Sequence, residues 1–114
     1  MTFDPDVQVY LAVGATDMRK AINGLSMLVQ QQMGKDPFGG NYFAFSNRRR
    51  TLVKVLYWDR NGFCLWQKRL EKHRFRWPRT EGEVMAIENK QWEWLLAGLD
   101  MSQAHEKLNF RTVV

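Results

Sequence analysis

The chain has 114 residues, 45% of them hydrophobic, with 17 Lys and Arg against 12 Asp and Glu, a formal charge of +5 and a pI near 9.7. That length supports one hydrophobic core and not two, so a single domain spanning residues 1–114 is expected, with a core over 7–100 and a loosely held tail from 101 onward. The lone Cys64 excludes an internal disulfide and fits a reducing compartment, no apolar run approaches the roughly 20 residues of a membrane span, and the acidic opening is unlike a signal peptide; a cytoplasmic protein with no membrane partner is expected.

Residues 7–13 alternate, with Val7, Val9, Leu11 and Val13 on one face and Gln8, Tyr10 and Ala12 on the other, and predict a strand ended by Gly14. Thr16-Asp17 then offers an N-cap oxygen to a helix over 18–33, whose apolar face is Met18, Ala21, Ile22, Leu25, Leu28, Val29 and Met33 and whose stop is Gly34. Gly24 inside that helix costs about 1 kcal/mol against Ala, which suggests close approach of another backbone. Pro37 and the Gly39-Gly40 pair make a tight connection into a second strand at 42–46, where Phe43 and Phe45 oppose Tyr42 and Ala44.

Residues 52–58 and 63–70 are rich in β-branched and aromatic residues, and Asp59-Arg60-Asn61-Gly62 between them supplies a turn with Gly placed for positive φ. Two registers are open, pairing Trp58 with either Leu65 or Cys64; a type I turn with a Gly bulge is favoured, because Asp59 can bond the backbone ahead of it. Residues 84–87 predict a short further strand. Glu88 or Asn89 starts a final helix with Gln91 as capping-box partner, a buried stripe of Trp92, Leu95, Leu96 and Leu99, and Gly98 as its stop. The expected fold is α+β: one antiparallel sheet of about five strands with a central basic hairpin and two packed helices.

Charge is concentrated in one segment. Residues 48–79 hold eleven Lys and Arg against Asp59 and Glu71, a formal +9, whereas the rest of the chain carries −4. On the hairpin, Lys54 is expected to face Lys68 or Arg69 across the strands, an arrangement that costs a fraction of a kcal/mol and that folding has no reason to choose. Arg48, Arg49 and Arg50 extend the cations at one end, and Lys72, Arg74, Arg76 and Arg79 extend them beyond the other. The bland reading is a solvated face; the sharper one is a surface that binds a polyanion through phosphate contacts, with Tyr57, Trp58, Trp66, Phe75 or Trp77 either stacking on bases or filling the core.

Catalytic chemistry is poorly represented. Cys64, His73 and His105 have no ligand spacing, so no metal and no cofactor are expected, and Cys64 reads as a small buried hydrophobe. Asp17, Asp36 and Asp59 have simpler roles at a helix start and in turns than as the carboxylates of a two-metal nuclease.

Several strings in fixed order resemble a known family, the TnpB accessory proteins of bacterial insertion sequences of family 66, which are unrelated to the RNA-guided nuclease sharing that name. They are Thr16-Asp17-Met18-Arg19-Lys20 with Asn23-Gly24-Leu25, Lys35-Asp36-Pro37-Phe38, Val53-Lys54-Val55-Leu56-Tyr57-Trp58-Asp59 with Gly62-Phe63-Cys64-Leu65, Lys68-Arg69-Leu70-Glu71 with Phe75-Arg76-Trp77-Pro78, and Leu95-Leu96-Ala97-Gly98-Leu99-Asp100. Asn23, Tyr57 and Glu88-Asn89 depart mildly from the family pattern. The resemblance implies an accessory role in DNA transposition beside a separate transposase that holds the cutting and joining chemistry, and it brings no catalytic residues. In the Asp17-Met18-Arg19-Lys20 string, Asp17 reads as structural and Arg19 and Lys20 as contacts for DNA or transposase.

The expectation is therefore a non-enzymatic accessory protein that binds element DNA through Arg19, Lys20, Arg48, Arg49, Arg50, Lys54, Lys68, Arg69, Lys72, Arg74, Arg76 and Arg79. Its expected partners are DNA, the transposase and the element's other accessory protein. Two competing readings are a protein-interaction subunit that meets the transposase without touching DNA, and a metal-dependent nuclease.

Overall fold

A computed structural model describes residues 3–78 and 84–97. The chain runs β1 (Val9–Ala12), α1 (Ile22–Gln31), β2 (Tyr42–Ser46), β3 (Leu52–Asp59), β4 (Gly62–Arg69), β5 (Val84–Ile87) and α2 (Asn89–Leu96). The strands form one five-stranded sheet in the order β4-β3-β2-β1-β5, which is the α+β architecture expected. The sheet is antiparallel except at one ladder. β1 and β2 run parallel, Val9 opposite Tyr42, because α1 lies between them in the chain and a helical crossover returns the next strand in the same direction.

The alternation expected of β1 and β2 sorts the core into two layers. Val9, Leu11, Tyr42, Ala44, Val53 and Val55 point to one face, where Trp92 and Leu95 of α2 cover them together with Phe75 and Trp77. Phe43, Phe45 and Leu56 point to the other and meet Leu25, Val29 and Met33. β2 is the middle strand of the five, so all five of its residues are buried, including Ser46.

α1 starts later than its apolar pattern suggests. Its N-cap is Ala21, with no side-chain cap, whereas Asp17 sits a turn earlier and accepts the Arg19 N–H at 3.0 Å. Its end is as expected: Gly34 adopts φ +65°, and Met33 and Lys35 donate to Leu28 O and Val29 O at 3.0 Å each, satisfying terminal carbonyls. Gly24 is approached by a side chain and not by another backbone, since a Cβ there would stand 3.2 Å from Cβ and Cγ of Lys20. α2 starts at the expected capping box, in which the Glu88 N–H donates to the Gln91 side chain at 3.0 Å. Of the expected stripe, Trp92 and Leu95 are buried and Leu96 is half-buried, and Trp94 is buried in addition, while Leu99, the Gly98 stop and the tail from 101 lie outside the described residues.

The hairpin is present, but its register differs from both expected ones. Asp59 pairs with Gly62 and Trp58 with Phe63, leaving Arg60-Asn61 as a two-residue loop. The positive φ falls on Arg60, at 54°, and not on Gly62. A two-residue loop keeps both strands in phase with no bulge, and the loop's first position takes the left-handed conformation that lets it follow the twist of the strands.

Candidate nucleic-acid interface

Strand direction decides where the cations go. β1, β2 and β4 end, and β3 and β5 begin, at one end of the sheet, so the segments 13–20, 47–51 and 70–78 gather there, and the Arg60-Asn61 loop lies at the opposite end. Backbone bonds lace the three segments together: Thr16 N–H donates to Ser46 O at 2.8 Å, Leu70 N–H to Thr51 O at 2.8 Å, Phe75 N–H to Arg50 O at 2.7 Å and Gly14 N–H to Pro78 O at 2.8 Å. Residues 70–78 form a strap that leaves β4 at one edge of the sheet and crosses this end towards β5 at the other. Within the strap, Phe75 and Trp77 are buried and Arg74 and Arg76 are exposed, so the alternation of an extended chain turns both guanidiniums outward.

The turn carrying the three arginines is held by the side chain of Asn47. Its side-chain oxygen accepts the Thr51 and Leu52 N–H groups at 2.9 and 3.1 Å, and its amide donates to Thr51 Oγ1 at 3.1 Å. The signal was an Asn directly before the Arg triplet, in the position where its carbonyl can replace a backbone acceptor. Arg48 and Arg49 are exposed on that turn; Arg50 is half-buried at φ 59°. Together with Gly14, Ala15, Asn47, Trp77 and Pro78, Arg48 and Arg50 line a cleft of about 210 Å³.

Two of the expected contacts are differently employed. Lys54 lies opposite Gln67 and not opposite Lys68 or Arg69, while Lys68 lies opposite Val53, which sends the two lysines to different faces of the sheet. Lys54 Nζ donates to Met18 O and Lys20 O at 2.8 and 3.2 Å and ties the segment before α1 to the sheet. Lys68 Nζ donates to Leu96 O at 2.9 Å, placing a cation at the negative end of α2. The like-charge conflict expected from sequence is thereby absent, because the two-residue loop shifts the register. Lys54→Met and Lys68→Met are each expected to lower stability by about 1–2 kcal/mol, read as an earlier thermal midpoint, with DNA affinity of the folded variants unchanged. A loss of affinity at unaltered stability would return either lysine to the interface.

Among the described residues two cations at this end have carboxylate partners. Arg19 pairs with Asp17 at 2.7 Å, and Arg69 with Glu71 at 3.0 Å, both pairs at the solvent-exposed surface. The Arg19 side-chain hydrogen bond holds the Asp17 carboxyl well below the usual carboxylate range. Lys20, Arg48, Arg49, Lys72, Arg74 and Arg76 are exposed; Arg79 lies outside the described residues.

The aromatic rings mostly face inward. Trp66 packs edge-on against Phe3 at 5.1 Å, and Tyr57 against Tyr42 at 5.3 Å. Burial, with Cys64 beside it, pushes the Tyr57 phenol up to about 12, so it stays protonated. Trp58 groups with Phe63 and the exposed Phe38 at the opposite end of the sheet. Asp17 belongs to the basic end and Asp59 to the opposite end, and Asp36 accepts the Phe38 N–H in its own turn at 2.9 Å. Among the described residues, no three His, Cys, Asp or Glu side chains come close enough to hold a metal ion, and no helix is long and apolar enough to cross a membrane.

The fold and this site define a small α+β protein that gathers loop cations at one end of its sheet. The chain belongs to the family described as IS66 Orf2 like protein, whose model matches residues 7–106, a transposition-associated family of insertion-sequence accessory proteins. An uncharacterized protein of Sinorhizobium fredii, y4hO, is 41% identical over 101 residues, covering 89% of this chain and 88% of its own length. A second from the same organism, y4jC, is 30% identical over 101 residues and covers 89% and 86%. No solved structure matches the chain.

Proposed function

We propose that this chain is a non-catalytic accessory protein of DNA transposition that grips the phosphate backbone of element DNA through the basic end of its sheet and so helps position a separate transposase. The observation that carries the reading is the convergence of Lys20, Arg48, Arg49, Lys72, Arg74 and Arg76 from three segments distant in sequence onto one end of the fold. Guanidinium forks and ammonium groups on a solvent-facing rim suit phosphate oxygens, and the inward orientation of the rings at this end favours backbone contact over base stacking. Such contacts position a protein on duplex DNA and carry little sequence information.

The test is a titration of labelled duplex with the purified protein alone over about 50 to 200 mM salt, in which each phosphate contact contributes roughly −0.9 to the log–log slope. Binding that weakens steeply with salt is the expected result. A protein that ignores DNA at the lowest salt yet captures purified transposase would replace this reading with the protein-interaction one. That alternative has its own support in Asp17 and Glu71, whose carboxylates accept from Arg19 and Arg69 at this end of the sheet.

A further inference from the structure

β4 is an edge strand, and its outer side has no hydrogen-bonding partner among the described residues. The ladder fixes which groups point outward. The Arg60-Asn61 loop closes the Asp59–Gly62 pair, and at the far end the Leu70 N–H donates to Thr51 O at 2.8 Å, so the even-numbered residues of β4 bond inward to β3. Phe63, Leu65, Gln67 and Arg69 therefore direct N–H and C=O away from the sheet. The strand is eight residues long, with no proline and no bulge, and its only charges, Lys68 and Arg69, sit together at one end. Soluble proteins ordinarily blunt an edge of this kind with prolines, bulges or inward charges.

Grooves flank this edge on both faces. On the α1 side, Lys20, Ala21, Ile22, Asn23, Gly24 and Leu65 border an open, mainly apolar depression of about 640 Å³. On the α2 side, Phe3, Trp66, Lys68, Trp92 and Leu96 border a cleft of about 400 Å³, and the buried Trp92 indole N–H has no acceptor among the described residues. A strand added to β4 would send its side chains alternately towards one groove and the other, as in β-strand addition.

We propose that the occupant is β4 of a second copy of this chain, paired antiparallel about a two-fold axis perpendicular to the sheet and passing near Leu65. Two five-stranded sheets then become one continuous sheet. Charge selects the direction: parallel pairing would set Lys68 and Arg69 of one copy beside those of the other, whereas antiparallel pairing carries them to opposite ends, opposite Gly62 and Asn61. Packing selects the centre. An axis at Trp66 would oppose two indoles at a closely spaced, non-hydrogen-bonded position although each already packs on Phe3, while an axis at Leu65 joins two aliphatic side chains beside the apolar depressions. The two basic ends then face opposite poles of the dimer, so that one dimer reaches two DNA segments. That last consequence rests on the proposed function; the pairing does not.

Light scattering of the full chain over a concentration series, without DNA, is expected to give twice the 13.5 kDa monomer mass. Gln67→Pro removes one outward N–H from an exposed edge residue without touching the β3 ladder, and is expected to weaken dimerisation about tenfold or more, while Gln67→Ala leaves it intact. Amide exchange in the unaltered protein gives an independent readout, with Phe63, Leu65 and Gln67 protected alongside the even-numbered residues. A monomer at every concentration, rapid exchange at those three amides, or protection that arises only on adding transposase would overturn the second copy as occupant. DNA binding by a monomer would still leave the proposed function standing.

Discussion

Replacing Arg48, Arg49, Arg74 and Arg76 together with alanine is expected to lower duplex-DNA affinity by roughly a thousandfold near about 0.1 M salt and to flatten the log–log salt slope by roughly 3 to 4, if each contact releases its counterion. Stability should barely move, because all four side chains are exposed and none has a carboxylate partner among the described residues. Arg19→Ala and Arg69→Ala should each cost less affinity, since Asp17 and Glu71 already neutralise those guanidiniums. The same titration checks all three proteins. A quadruple variant that binds with unchanged affinity and slope would remove the basic end of the sheet from the account of DNA contact.

Trp77→Ala is expected to destabilise the protein by about 3–5 kcal/mol, a large share of the roughly 5–15 kcal/mol that holds a domain folded. Trp77 is 4% exposed, packs among Phe75, Trp92 and the α2-side faces of the strands, and donates its indole N–H to Ala12 O at 2.8 Å. It fastens the strap that carries Arg74 and Arg76, so DNA affinity should fall even under conditions where the variant remains folded. Trp77→Phe retains most of the apolar bulk and loses the hydrogen bond, which should cost about 1–3 kcal/mol. Chemical denaturation separates the two substitutions; a wild-type midpoint for Trp77→Ala would mean that the strap is held by something else.

Much of the fold was legible because the responsible patterns are local. The alternation of Val9 to Ala12 and of Tyr42 to Ser46 sorted their side chains onto the faces observed, and the spacing of Glu88 and Gln91 marked the start of α2. Charge concentration was legible too, but its location on the hairpin was only half right. Lys54 and Lys68 sit on the strands as cations in the sequence, and the carbonyls of Met18, Lys20 and Leu96 that receive them come from elements far along the chain. The Asp17 cap failed for a related reason: Arg19, two residues on, offers the carboxylate a guanidinium in addition to a backbone N–H, and the helix begins after that closed loop.

Residue order alone settled which segments are strands, which faces are apolar, and that the positive charge belongs to one stretch, since each depends on neighbours within a few positions. Strand pairing decided the rest. The two-residue loop set the parity that sends Lys54 and Lys68 to opposite faces, and the helical crossover made β1 and β2 parallel, bringing three separate loops to one end of the sheet. Like-charged side chains gather there because hydrophobic burial on both faces of the sheet fixes the strands, and the loops must go where the strands end.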